Sequence, residues 1–331
     1  MGIAARGRHE RDLQFFYDKP FKNLLSSAIR LATPIILAAL GAALCNKAGV
    51  LNLAIDGKIT VGAFVAIVTT YLIRNHSAFG MAHPEISTLA GAAAAMIVGA
   101  LLGLFFAWLH VSFRVNLVVL AIAINILSLE VTVYLMRVLF RQSGTWSDPS
   151  IVQLPAIHLG FLESIPIMGR LLSGYNIIVY ISWAAVIILS VLVYRTRFGR
   201  HLLAVGENEK AAVSVGISVR RVQYTALIIS GILAGLAGAF LSVGHLTLFT
   251  RDMSSGRGWI GNAAALFGFN SPGGSFLAGL FFGFADAVAL RLQNVTKIPP
   301  YIVQILPYVM TLVILAFVSW RARLKALQKS L

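Results

Sequence analysis

Long stretches of this chain carry no Asp, Glu, Lys or Arg. Uncharged runs occupy residues 86–113, 171–194, 222–250, 258–285 and 298–320, with shorter ones at 31–46, 59–73 and 115–129. A hydrocarbon layer about 30 Å thick takes roughly 20 apolar residues of α-helix to cross. The runs approach or exceed that length, and they lack the alternation over roughly ten residues that marks a membrane β-barrel. The pattern predicts an all-α, polytopic transmembrane helical bundle. Between two of the runs lies a polar island, Arg195 to Arg221, reading RTRFGRHLLAVGENEKAAVSVGISVRR. A basic, partly helical loop between two spans is a place where a soluble partner can grasp a membrane subunit.

Composition agrees. The 331 residues are 58% hydrophobic and 12% charged, against about 25% charged in ordinary soluble domains. The net charge of +15 does not point to nucleic acid, because the Lys and Arg residues sit at helix ends and in loops, the positive-inside pattern. Six of them lie in residues 1–30, six in 195–221 and four in 321–331. These segments are expected in the cytosol, as are both termini. The lightly charged segment 141–175 is expected outside. The single cysteine, Cys45, excludes a disulfide framework. Residues 1–22 lack the apolar core of a cleavable signal. The chain divides into an N-terminal cytosolic segment 1–23, a transmembrane domain 24–320 and a basic tail 321–331.

The charge rule also orders the spans. It directs both 24–43 and 59–73 outward, which demands a return near 46–57. Residues 86–110 come in, 116–140 go out, 176–194 come in and 222–243 go out. A short passage at 259–269 and a longer one at 275–290 fit before 301–319 comes in. The count is about ten crossings in two five-span halves, 24–140 and 176–319. Eight crossings with two re-entrant pieces is the other count. Two regions, 46–57 and 244–274, are too short or too glycine-rich for ordinary spans and fall at corresponding places in the halves. Interrupted segments in matching positions point to a binding site or pathway near the midplane, and irregular backbone at that depth needs cover from protein or a water-filled cavity.

Candidate path residues follow. Asn52 and Asp56 are four apart, hence on one face of a helix, and a carboxylate at membrane depth usually meets a cavity or a partner. The alternative for Asp56 is pairing with Lys47 or Lys58, or capping a helix. Asn125 and Glu130 lie inside an apolar run; Glu130 either pairs with Arg137, two turns on, or meets a polar solute. Trp259 opens a short segment, GWIGNAAALFGF, where it could stack on a planar ligand. The spacings Gly99-xxx-Gly103, Gly231-xxx-Gly235 and Ala234-xxx-Gly238 are packing signals for close helices. No catalytic constellation, metal motif or GxxxxGK[ST] nucleotide loop is present, so no cofactor is expected in this chain.

Two stretches carry a family resemblance: TPIILAALGAALCNKAGVLNLAIDGKITVGAF, residues 33–64, and FGRHLLAVGENEKAAVSVGISVRRVQYTALIISGILAGLAGAF, residues 198–240. Together with GW…AALFG…PGG and IPPYIVQILPYVMTLVILA towards the C-terminus, they resemble permease subunits of bacterial ABC importers of the nucleoside and simple-sugar type. The resemblance covers about residues 24–320. It implies a permease that is not itself an enzyme, with ATP and Mg bound by two partner ATP-binding subunits. It further implies a second permease, homologous or identical, a periplasmic or lipoprotein substrate-binding protein, and a place in the bacterial inner membrane. It assigns docking of the ATP-binding subunit to Gly206, Glu207, Asn208, Ala211, Ala212 and Gly216. The implied solute is a nucleoside first, then a monosaccharide or a riboflavin-like molecule. The family usually has Glu where Asp56 stands and Gly-Leu where Ala54-Ile55 stands. The rival class is an ion-coupled secondary transporter, for which Asp56, Glu130 and Asp286 are the carboxylates available.

Overall fold

Polar side chains start several of the helices in the computed structural model, which describes residues 3–157 and 173–295, with side chains from Asn23 to Gln293 except Phe79. Helix α1 runs from Ile3 to Lys47, α2 from Ile55 to His76, α3 from Ala78 to Ala82, α4 from Pro84 to Ala107 and α5 from Leu117 to Phe140. Asn116 caps α5 by accepting from the backbone N–H groups of Val118 (2.9 Å) and Val119 (3.3 Å), replacing partners that a helix start lacks. Then come α6 (Ile177–Arg195), α7 (Arg197–Glu207), α8 (Glu209–Ser214), α9 (Val219–Ala239), α10 (Arg257–Phe267) and α11 (Pro272–Val295). Asn176, Thr196 and Asn208 cap α6, α7 and α8 in the same way. A π-helical turn extends α4 over Trp108–Ser112 and α9 over Phe240–His245.

Among the described residues, seven helical stretches are long and apolar enough to cross a membrane: Asn23–Lys47, Ile55–His76, Pro84–Ser112, Leu117–Phe140, Ile177–Arg195, Val219–His245 and Pro272–Gln293. Among the described residues, four short strands accompany them. β1 (Thr145–Ser147) pairs antiparallel with β4 (Leu248–Thr250), and β2 (Ala156–Ile157) with β3 (Tyr175–Asn176). Residues 32–280 form one unit; residues 1–31 and 281–331 form another, of which the described part is helical.

Within the larger unit the core is built on close backbone contact. Gly99 and Gly103 of α4 face Gly231 and Leu227 of α9, and a Cβ on Gly99 or on Gly231 would overlap the other's carbonyl oxygen. The small-residue spacing thus does what it does in membrane bundles generally, letting backbones approach where no water-driven collapse operates between helices. The ladder runs 95 to 235, 99 to 231 and 103 to 227, so α4 and α9 are antiparallel. Gly62 sets α2 against Gly235, and Gly57 sets it against Asn125 and Ser128 of α5. At the far ends of α2 and α5, Trp146 stacks on Phe140 at 3.9 Å and meets Tyr71 edge-on at 5.1 Å.

The first span corrects the expected path. Cys45 Sγ reaches the Ala226 carbonyl at 3.6 Å, while Gly41 lies against Ser230, so α1 runs antiparallel to α9. Its end at Lys47 sits beside Gly206 of the 195–221 loop. Residues 32–47 therefore run opposite to 222–243, whereas 24–43 and 222–243 were both expected to run outward. The demanded return near 46–57 disappears with it: residues 48–54 are a non-helical connector, and α2 then runs in the same direction as α5, as expected. The charge rule failed because it weighed the basic residues before the span and could not see which end the chain folds back from. Span 301–319 and tail 321–331 lie outside the described residues, so the described spans do not add up to the expected ten.

Candidate translocation centre and coupling hairpin

Helices α2 and α10 both begin partway through the bundle, each after a non-helical stretch. The first stretch, 48–54, climbs from Lys47 to the level of Asn125, about a third of the way along α5. The second, 251–256, follows strand β4 and descends to Gly258, which lies against Asp56. From there α10 continues past Ala38, touched by Gly261, until Asn270 reaches Asn46, 2.8 Å between Oδ1 and Nδ2. The passage expected at 259–269 is therefore a descent, helical as far as Phe267 and preceded by a run of turns over 251–256. The two interrupted segments, anticipated at matching places in the two halves, meet.

Asp56 is the joint. Its Oδ1 accepts from the Gly258 N–H at 2.9 Å, and its Oδ2 accepts from the Ser254 hydroxyl at 2.8 Å. It sits in the first turn of its own helix, α2, and caps the first turn of α10. Two helix N-termini, each with a partial positive charge, thus share one carboxylate. Of the alternatives for Asp56, the structure makes the helix cap and not the pair with Lys47 or Lys58. Thr60 Oγ1 also bonds Ser254 Oγ at 3.0 Å. Three residues of the second segment have left-handed backbone, Asp252 (φ 54°), Ser255 (φ 46°) and Gly256 (φ 79°). For Asp252 and Ser255 this is a strained conformation, of the kind that persists where surrounding contacts over-determine it.

Asn52 and Asn125 hold the other side. Asn52 is fully buried; its Nδ2 donates to Ser230 Oγ (3.0 Å), and its Oδ1 accepts from the Ala54 N–H and from Lys58 Nζ, both at 3.2 Å. Its carbonyl accepts from Asn262 Nδ2 at 3.2 Å. Asn125 Oδ1 accepts from the Gly57 N–H at 2.8 Å, and its Nδ2 donates to the Leu53 carbonyl at 3.0 Å. One side chain of α5 therefore supplies both the donor and the acceptor that the broken backbone lacks, as membrane-depth irregularity requires. Lys58 is also fully buried, and its amine lies 4.6 Å from the Phe106 ring centroid; among the described residues no carboxylate comes within ion-pair distance. Asn262 Oδ1 is buried with no hydrogen-bond partner among the described residues.

The sequence candidates thus separate. Asn52, Asp56 and Asn125 converge. Glu130 is exposed, and Arg251 Nη2 lies 3.3 Å from its Oε1; this replaces the expected pairing with Arg137. Trp259 follows Gly258 on α10 and is 44% exposed. Ser254, Asn262 and Arg251 escaped sequence reading. The available signal was the Ser-Ser-Gly of 254–256, a helix-start composition directly before a periodic segment. Among the described residues no cluster of His, Cys, Asp or Glu could hold a metal.

On the loop side, α7 and α8 form a hairpin. Leu202 and Val205 are buried, anchoring α7. A Cβ on Gly206 would overlap the Lys47 carbonyl, so the hairpin rests on the start of connector 48–54. Asn208 is the cap of α8, accepting from the Ala211 N–H at 3.1 Å. Gly216, at φ 80°, reverses the chain so that the Ile217 N–H reaches the Ala212 carbonyl at 3.0 Å. Gly206, Glu207, Asn208, Ala211 and Gly216 are exposed, while Ala212 is buried and packs inward. Two apolar side chains, Val213 and Val215, stand exposed here in addition to the expected set.

The helices, the charge pattern and the two joined interruptions define a multi-pass membrane protein of the transport type. Comparison with known proteins names the class: residues 24–315 match the profile described as branched-chain amino acid transport system / permease component. The chain belongs to that family. It is 30% identical over 308 residues to the guanosine ABC transporter permease protein NupQ of Bacillus subtilis (90% of this chain, 92% of NupQ). It is 28% identical over 282 residues to NupP, a guanosine ABC transporter permease protein of the same organism (85% and 78%). A putative glucose ABC transporter permease protein of Haloferax volcanii, TsgC13, is 29% identical over 318 residues (89% and 91%).

Proposed function

We propose that this chain is one permease subunit of an ATP-driven importer in a bacterial cytoplasmic membrane, carrying a nucleoside by alternating access. The observation that carries the reading is its similarity, over nine-tenths of its length, to a guanosine ABC transporter permease protein. The similarity to TsgC13 favours a monosaccharide as the second reading. Two differently named guanosine permease proteins of one organism both resemble this chain, which supports a second, homologous permease as its partner.

In this reading two ATP-binding subunits close on the hairpin 206–216, and a periplasmic or lipid-anchored binding protein delivers the solute from outside. The hairpin suits such docking. Its outer side is exposed, and its root is backbone packed on backbone, a contact that transmits displacement rather than absorbing it. Displacement at Lys47 and Gly49 reaches the Asp56 joint along connector 48–54. ATP and Mg belong to the partner subunits. The ion-coupled alternative loses its best carboxylate, since Asp56 serves as a helix cap.

The test is ATP hydrolysis by the assembled transporter in proteoliposomes, with and without loaded binding protein. Stimulation by the binding protein, lost when Glu207, Val213 and Val215 are replaced by Arg, supports the reading. Equal hydrolysis in the parent and the substituted complex contradicts it.

A further inference from the structure

The Glu130–Arg251 pair is out of place for a membrane protein's outer surface. Its two side chains are 59% and 54% exposed. Glu130 lies ten residues before the end of α5, about 15 Å along the axis. Arg251 is equally deep. It follows β4, whose Phe249 meets Phe64 edge-on at 5.3 Å, and Phe64 lies twelve residues before the end of α2, about 18 Å along its axis. Charged groups at that depth face a bundle interior or a water-filled cavity, not lipid. The irregular backbone of 251–256 is subject to the same rule.

The pair's chemistry is specific. It sums to zero charge, so it selects for neither anions nor cations. Arg251 uses Nη2 on Glu130 Oε1; among the described residues Oε2 of Glu130 and Nη1 and Nε of Arg251 have no hydrogen-bond partner. An acceptor and donors stand side by side in the open, the complement of hydroxyl groups, which give one hydrogen bond and accept another. On the same face of α5, Leu127 is 57% exposed and Tyr134, one turn beyond Glu130, 66%. An aromatic ring next to a donor–acceptor pair matches a sugar ring, whose flat face is apolar and whose edge is hydroxylated.

We propose that Glu130 and Arg251 form a solute-contacting pair on the wall of a water-filled passage, closed on its open side by the second permease chain, and that they recognise the hydroxylated ring of a neutral solute. The proposal rests on the importer reading and adds to it a residue, Arg251, and a solute chemistry shared by nucleosides and monosaccharides.

The test uses the complete transporter in membranes, with Cys45→Ala removing the only native thiol. Glu130→Cys and Arg251→Cys are exposed to a charged, membrane-impermeant methanethiosulfonate, with Ile187→Cys, on the apolar exposed face of α6, as the lipid-facing control. Reaction at 130 and 251 but not at 187 is expected; silence at 130 and 251 overturns the proposal. Uptake of labelled guanosine and of labelled glucose then distinguishes the two sources. Loss of a hydrogen bond to a charged group lowers uptake of the carried solute about tenfold in Glu130→Gln. Arg251→Lys, which keeps a charged donor, retains more uptake than Arg251→Gln. Glu130→Gln also narrows the preference for the carried solute over its analogue lacking the ring hydroxyls, a ratio that a purely structural pair leaves unchanged and whose constancy overturns the proposal. ATP-driven uptake absent from the parent complex refutes the importer reading, while the thiol reactions still decide whether the pair faces water.

Discussion

The joint around Asp56 and the hairpin at 206–216 are both polar, and they are polar in opposite ways. At the joint most polar groups have a named partner: Asp56 with Gly258 and Ser254, Asn125 with Gly57 and Leu53, Asn52 with Ser230 and Lys58. On the hairpin, Glu207, Glu209 and Lys210 face outward, and the apolar Val213 and Val215 do as well. A buried donor left unpaired costs its full desolvation, whereas an exposed one is repaired by water. The joint is therefore where substitution disturbs the fold, and the exposed side chains of the hairpin are where it disturbs only what docks.

That contrast can be broken at four points. Asp56→Ala strips acceptors from the Gly258 N–H and the Ser254 hydroxyl, and a loss of about 3 kcal/mol is expected in thermal unfolding of the detergent-solubilised protein. Asp56→Asn keeps one acceptor oxygen and loses less; equal losses would show that the carboxylate is not the joint. Asn125→Ala removes one donor and one acceptor from the broken backbone, for about 2 kcal/mol. Gly206→Ala forces the hairpin off the Lys47 carbonyl and costs about 1–2 kcal/mol by overpacking; an unchanged melting temperature would mean that the hairpin does not rest on the connector. Glu207→Ala with Val215→Ser changes stability by less than about 0.5 kcal/mol, as exposed positions do, yet weakens co-purification with the ATP-binding subunit. A destabilisation as large as that of Asn125→Ala would erase the distinction between the regions.

Much of this was legible in the chain. The apolar runs located the seven described spans, and shortness or glycine content marked both interruptions. Helix-packing glycines were legible because close approach leaves a spacing. What touches Asp56 was not: Ser254 is 198 positions away, and no local pattern records a partner so remote. Glu130 was assigned to Arg137 because seven residues return to one helix face, but the rise between them is about 10.5 Å, beyond a direct pair. Arg251, delivered by a strand from the other half, is the partner instead. The direction of α1 was misjudged because charge counting orients segments but does not see that 48–54 is a connector. Ala212 was grouped with its exposed neighbours because a family motif names residues without saying which face inward.

Solute flux through the purified chain is the decisive measurement. Proteoliposomes holding this chain alone, or with its second permease, ATP-binding subunits and binding protein, are loaded with ATP and offered labelled guanosine or glucose outside. Accumulation is expected only in the complete assembly, only with ATP, and lost on substitution of the hairpin surface. ATP-independent counterflow by the chain alone would contradict the importer mechanism.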